Sequence, residues 1–322
     1  MHLINETYYF LKPMIPRNVQ VYIRRALVRI QRSQYRDVWP IDQSSISTNL
    51  PRLKWPDNKN FAFVLTHDVD TQRGMDRCLQ LAEMEKSRGL RSSFNFVPER
   101  YKVSESVRKE LVSEGFEVGV HGLTHDGKLY ESEKTFRQRA EKINMYLADW
   151  NAVGFRSPAM HHNLDWIGLL NIEYDASTFD TDPFEPQSDG VRSIFPFWVE
   201  SKMTRTGYIE LPYTLPQDFT LFILMGEKTT NIWKRKLDWI VANNGMALVN
   251  VHPDYLNFNL NGHAIDEFSA SLYEDFLDYT LDQYKGQYWH ALPKEVARYS
   301  RDLFKDNTWL ESAAQNLQRS NG

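Results

Sequence analysis

The sequence predicts an α/β fold assembled from repeated β-α units. From Phe61 onward, short apolar runs alternate with amphipathic segments of helical period. Several of those runs end on aspartate, histidine or arginine, at the strand ends where α/β folds build their sites. The length, 322 residues, suits two domains or one α/β barrel with insertions.

The N-terminal part, residues 1–54, reads as a helical extension and linker ahead of a main domain over 55–322. Seven basic residues and no acidic one lie between Lys12 and Arg36, beside Val19, Tyr22, Ala26, Leu27 and Ile30 at helical spacing. They predict a basic amphipathic helix, either laid on the main domain with a solvated basic face or set against a membrane surface or another anionic partner. The polar stretch Asp42 to Asn49 reads as a linker.

In the main domain, Phe61 to Leu65 reads as a strand and Met75 to Arg88 as a helix closed by Gly89. Strands are expected over Ser93 to Val97, Phe116 to Val120, Val153 to Phe155 and Ala247 to Val251, with a further segment at Tyr174. Helices are expected over Ser104 to Ser113, Glu131 to Trp150, Leu164 to Leu170, Ile232 to Asn243, Glu267 to Gln283 and Lys294 to Phe304. Asp180 to Tyr208, rich in proline, aspartate and aromatics, reads as a long loop or small β excursion.

Composition narrows the function classes. Lysine plus arginine total 38 against 42 aspartate plus glutamate, a net charge of −4, so no basic excess points to a nucleic-acid partner. A single cysteine, Cys78, excludes an intramolecular disulfide framework and reads as a small core residue on a helix. Met1 to Pro16 holds no signal-peptide run, and no stretch has the roughly 18 apolar residues of a membrane span, so a cytoplasmic location is expected.

Four segments carry chemistry. In Leu65-Thr66-His67-Asp68-Val69-Asp70 two acids two apart at a strand end fall on one face, and His67 points away from it. In His121-Gly122-Leu123-Thr124-His125, a helical turn would set both imidazoles on one side, suited to a shared metal ion. Together the two segments offer two histidines and a carboxylate, which leaves coordination positions open for water and substrate, as a catalytic site needs. Arg156, at the next strand end, would hold Asp68 ionised, and His252 at the tip of Ala247 to Val251 is a natural proton donor.

In order and spacing these segments resemble the polysaccharide deacetylase family, carbohydrate esterase family four, over roughly Phe61 to Tyr299. The resemblance implies a distorted (β/α) barrel of about seven strands, with the basic helix and the irregular insertion added to it. It implies that Asp68 is the general base, that Asp70, His121 and His125 hold a divalent metal ion, zinc, that Arg156 positions the base, and that His252 is the general acid. Two features depart from the common family form: the acids are spaced as Asp68-Val69-Asp70, and Gly122 follows the first histidine. They are similar to a branch that includes sugar deacetylases and hydrolases of small amides and cyclic imides. The acid that tunes the general-acid histidine is not singled out; Asp175, Asp180 and Asp182 are all candidates.

The expected reaction is therefore metal-dependent removal of an N-acetyl group from an amino sugar or glycan precursor, giving acetate and a free amine. A nucleotide- or lipid-linked precursor of a surface polysaccharide fits a cytoplasmic enzyme, and the 12–36 helix could then rest on the inner membrane face. Phe184, Phe195, Phe197 and Trp198 could form a sugar-stacking wall or belong to the core. His161 and His162 could face the cleft or start a helix. Three other readings compete: hydrolysis of a small non-sugar amide or cyclic imide, a non-haem iron oxygenase with the same ligand triad, and a silent carbohydrate-binding relative.

Overall fold

A computed structural model describes residues 17–46, 54–204, 206–259 and 264–305. In chain order the α-helices among these residues are α1 (Arg17–Gln34), α2 (Gln72–Lys86), α3 (Glu105–Ser113), α4 (Glu133–Trp150), α5 (Leu164–Ile167), α6 (Asn231–Ala242), α7 (Ala270–Gln283) and α8 (Pro293–Lys305). The strands are β1 (Phe61–Val69), β2 (Ser93–Phe96), β3 (Glu117–His121), β4 (Gly154–Arg156), β5 (Tyr174–Asp175), β6 (Phe197–Glu200), β7 (Gly207–Glu210), β8 (Met246–Asn250), β9 (Leu256–Asn257), β10 (Phe268–Ser269) and β11 (Tyr288–His290).

β1 is buried along its whole length and pairs in parallel with β2, β8 and β11. Its side chains alternate between two cores, as the period of a strand requires. Phe61, Phe63 and Leu65 pack outward under the helices, whereas Ala62 and Val64 turn inward onto Ile209, Leu211, Met246 and Leu248. Continued upward, that alternation sends Thr66 and Asp68 into the interior of the curl and His67 outward. The sequence builds this strand almost wholly from apolar residues because both of its faces are covered.

From β1 the sheet runs through β2, β3, β4, β5 and β7 to β6, with β8 on the other side of β1. Among the described strands only β6 against β7 is antiparallel. Past β7 the chain returns to β8, where the N–H groups of Thr214 and Leu215 donate to the carbonyl of Leu248 at 3.1 and 3.2 Å. The sheet thus curls into the distorted barrel, and the ends of β1, β3, β4 and β8 share one mouth.

Most expected elements lie within a few residues of their predicted bounds, and Cys78 is buried in α2. Of the two readings of the Asp180 to Tyr208 stretch, the small β excursion holds, since it contains β6 and opens β7. β11 and a π-helix over Phe219–Leu224 were not predicted. Three residues of mixed polarity, Tyr288 to His290, carry no readable period, and the π-helix is too short for one.

The N-terminal helix packs the opposite way from the expected orientation on the main domain. Val21 and Val28 are buried, but the docked face is otherwise basic. Arg25 donates from Nε to the Ile223 carbonyl at 2.7 Å and from Nη2 to that of Ile265 at 3.0 Å. The Arg24 guanidinium lies 4.9 Å over the Phe219 ring, and Arg32 pairs with Glu227 at 2.7 Å. Val19, Tyr22, Leu27 and Ile30, expected to be the packing face, are exposed. Guanidinium groups win the docked side because they satisfy carbonyls around the π-helix that no apolar side chain could. Lys12 lies outside the described residues. In the stretch read as a linker, Gln43–Ile46 is a 3-10 turn whose Ser45 is buried.

Candidate metal centre and active site

Asp68 enters the barrel mouth already surrounded by donors. Its Oδ1 accepts from Asn95 Nδ2 at 3.0 Å and from Arg156 Nη1 at 3.4 Å, and its Oδ2 accepts from Asn250 Nδ2 at 2.9 Å. Burial alone would raise its pKa, but His121, Arg156 and His252, aided by the Asn95 hydrogen bond, bring it down to about 2. Arg156 is fully buried and fixed at two further points, donating from Nε to the Ala176 carbonyl at 2.8 Å and from Nη1 to Thr66 Oγ1 at 2.9 Å.

The Asn95 contact explains a glycine. A Cβ on Gly119 of β3 would fall 2.2 Å from Asn95 Oδ1, so glycine there leaves room for the Asn95 amide oxygen while its Nδ2 points the other way, to Asp68 of β1.

Asp70, His121 and His125 converge, with ligating atoms all within 4.8 Å of one another. Asp70 Oδ1 lies 3.4 Å from His121 Nε2 and 3.2 Å from His125 Nε2. No helical turn joins the two histidines. His121 closes β3, Gly122 turns the chain at φ +61°, and His125 itself adopts φ +55°. A Cβ on Gly122 would meet Pro158 Cγ at 2.5 Å, so the reversal that brings His125 back requires glycine there.

The donor set fits a divalent cation. His121 Nδ1 lies 3.0 Å from the Arg156 carbonyl, which makes it the N–H donor and leaves Nε2 a bare lone pair aimed at a carboxylate. Asp70 Oδ1 is buried and has no hydrogen bond of acceptable geometry. Two acceptors held face to face at the barrel mouth are balanced by a cation, and two imidazoles with one carboxylate suit zinc. The carboxylate is held from behind: Asp254 Oδ2 accepts the Asp70 backbone N–H at 2.9 Å, and its other oxygen accepts from Thr71 Oγ1.

His252 stands on the other side of Asp68, with Nε2 4.0 Å from Asp68 Oδ2. Its partner is Asp218, which accepts from His252 Nδ1 at 2.7 Å and from its backbone N–H at 2.8 Å. Against the effect of burial, Asp218 above all, then Asp70 and Asp68, push the His252 pKa up to about 10.

None of the three aspartates read as candidates tunes this histidine. Asp175 accepts from Ser177, Asp180 is paired with Lys236, and Asp182 accepts from Tyr213 at 2.9 Å. The sequence hides Asp218 because it precedes His252 by 34 residues with no motif around it; the π-helix it caps brings it to the mouth. Asn95 was findable, as a polar residue at an inward position of an apolar strand. Asn250 and Asp254 flank His252 within five residues.

His67 points outward as expected and is held by Glu85 at 2.9 Å and by the Val251 carbonyl at 2.8 Å. His161 lines a groove beside His125 with Tyr130 and Pro158, whereas His162 turns back to the Met160 carbonyl. Of the four aromatics considered for a wall, Phe184 and Phe195 are core, with Phe184 edge-on to Trp39 at 5.1 Å. Trp198 is exposed.

No family model and no curated protein matches the sequence. Solved structures match the fold. A protein from Mycobacterium smegmatis assigned to the polysaccharide deacetylases superposes with a TM-score of 0.59 at 17% identity, over 80% of this chain and 95% of that one. The fold is that of the polysaccharide deacetylases. A second assigned member, from Pseudomonas aeruginosa PAO1, gives 0.57 at 16% identity over 81% and 97% of the two chains. Puue allantoinase gives 0.59 at 15% identity over 81% and 96%.

Proposed function

We propose that this protein is a metal-dependent amide hydrolase that removes an N-acetyl group from an amino sugar or glycan precursor. The observation that carries the proposal is the meeting of Asp70, His121 and His125 around one point, with Asp68 and His252 beside it.

A divalent ion held by Asp70 Oδ1, His121 Nε2 and His125 Nε2 would supply Lewis-acid activation of the carbonyl and an acidified water. Asp68, kept ionised, takes the proton from the attacking water. Asn95, Asn250 and Arg156 fix its two oxygens so that the acceptor lone pair faces the mouth. His252, held protonated by Asp218 on Nδ1, presents Nε2–H to the departing nitrogen, since an amide nitrogen leaves poorly without a proton. The products are acetate and an amine.

The same groups would also open a small cyclic amide, a reading favoured by the likeness to the allantoinase fold. The two separate in one assay with zinc-loaded protein. Acetate and a new amine from N-acetylated amino sugars support the deacetylase; turnover of cyclic amides with none of the acetylated sugars supports the alternative. Full activity after metal removal overturns both.

A further inference from the structure

Of the nine large apolar side chains left exposed among the described residues, five stand on α1: Val19, Tyr22, Ile23, Leu27 and Ile30. At 100° per residue they form one stripe, opposite the buried Val21 and Val28. The remaining four are scattered over the surface singly, as is ordinary for a folded protein, so the clustering on α1 is what needs explaining.

The helix is amphipathic in the inverted sense. Arginines that a free amphipathic helix would give to water are spent on the body, where Arg25 binds the Ile223 and Ile265 carbonyls and Arg32 binds Glu227. Its apolar stripe is left facing out. These contacts fix the helix on the π-helix that Asp218 caps.

The charge around the stripe selects its occupant. α1 contains no acidic residue, and Arg29 is exposed on its flank, whereas Arg36, just beyond the helix, pairs with Asp37 at 3.7 Å. Across a two-fold contact the Arg29 side chains would add like charge to the interface; against an anionic lipid surface Arg29 is attracted, while Val19, Tyr22, Leu27 and Ile30 enter the headgroup boundary.

We infer that the outward face of α1 rests on an anionic bilayer. This inference stands on the α1 geometry alone and is independent of the chemistry proposed for the site.

The test is co-sedimentation of the full chain with vesicles of phosphatidylcholine alone or with 30% phosphatidylglycerol, alongside light scattering. The expected result is binding at least tenfold stronger to the anionic vesicles, weakened by salt, and lost by tenfold or more in Leu27→Glu/Ile30→Glu. The double variant should keep its melting temperature and its metal content, since both side chains are exposed. Arg29→Glu should weaken binding without abolishing it. Failure of the wild-type chain to bind, or equal binding by the double variant, overturns the inference. So does a wild-type dimer that the double variant converts to a monomer without vesicle binding, which would give the face to a second copy.

Discussion

His252 and Asp218 meet through two contacts at once: one carboxylate accepts both the imidazole Nδ1–H, at 2.7 Å, and the backbone N–H of the same residue, at 2.8 Å. The double grip fixes ring and strand tip together, leaves only Nε2 for substrate, and keeps the imidazole charged far above its ordinary range.

Asp218→Asn should therefore act on the alkaline side of the pH profile. With a pKa pushed up to about 10, the acid form of His252 persists through neutral pH; removing the neighbouring negative charge lowers that pKa, so the acid form is lost at lower pH. The variant should lose about 10²–10⁴-fold in kcat, the usual range for losing a placed general acid. Its kcat/KM should fall off at least one pH unit earlier than in the wild type. An unmoved alkaline limb would assign that limb to a different group.

Asp68→Asn should separate chemistry from metal binding. Asn keeps the shape that Asn95 and Asn250 hold but cannot take a proton, so turnover should fall about 10²–10⁴-fold while zinc content measured on the purified protein stays near one per chain. Asp70→Asn and His125→Ala should instead lose the zinc.

Asp254→Asn tests the support behind the metal ligand. Its carboxylate holds the Asp70 backbone and the Thr71 hydroxyl, so weakening it should cost about 10–100-fold in zinc affinity, read by competition with a chelator. Unchanged affinity would show that Asp70 is placed by β1 alone.

Gly119→Ala should reach the base indirectly. A Cβ there collides with Asn95 Oδ1, which must leave Asp68 or distort β3; the strain is worth about 1–3 kcal/mol of stability, and kcat should fall with zinc retained. Wild-type turnover together with an unchanged melting temperature would mean that Asn95 moves freely and does not hold the base.

Stability should decline between about pH 5 and 7. Glu117 is buried, and burial outweighs its hydrogen bonds from Tyr174 and the Lys294 N–H, raising its pKa to about 7 from an ordinary 4.5. Because the folded pKa is the higher one, the neutral carboxyl's contribution is complete below pH 4.5 and is lost as pH rises through 7, on the order of 3 kcal/mol. Asp182, also raised to about 7 by burial, adds in the same window. In denaturant melts Glu117→Gln should flatten the slope in part; an unchanged slope would assign it to the other buried acids.

The alternation of β1 is legible residue by residue in the sequence, and it sets His67 outward and Asp68 inward. Asn95 carried a signal of the same kind, a polar side chain at an inward strand position. The π-helix gave none, and with it went Asp218. The direction of α1 is not legible, because apolar periodicity states that a helix has two faces without stating which one the body can satisfy.

By itself the sequence determined the repeated β-α layout, the strand ends that carry Asp68, Asp70, His121, Arg156 and His252, and the burial of Cys78, because each rests on a local period or on a short-range spacing. Only the tertiary structure decided the partner of His252, the turn that swings His125 onto Asp70, and the outward face of α1. Those depend on which carbonyls and carboxylates distant segments bring within about 3 Å, a matter of three-dimensional hydrogen-bond satisfaction that no local pattern encodes.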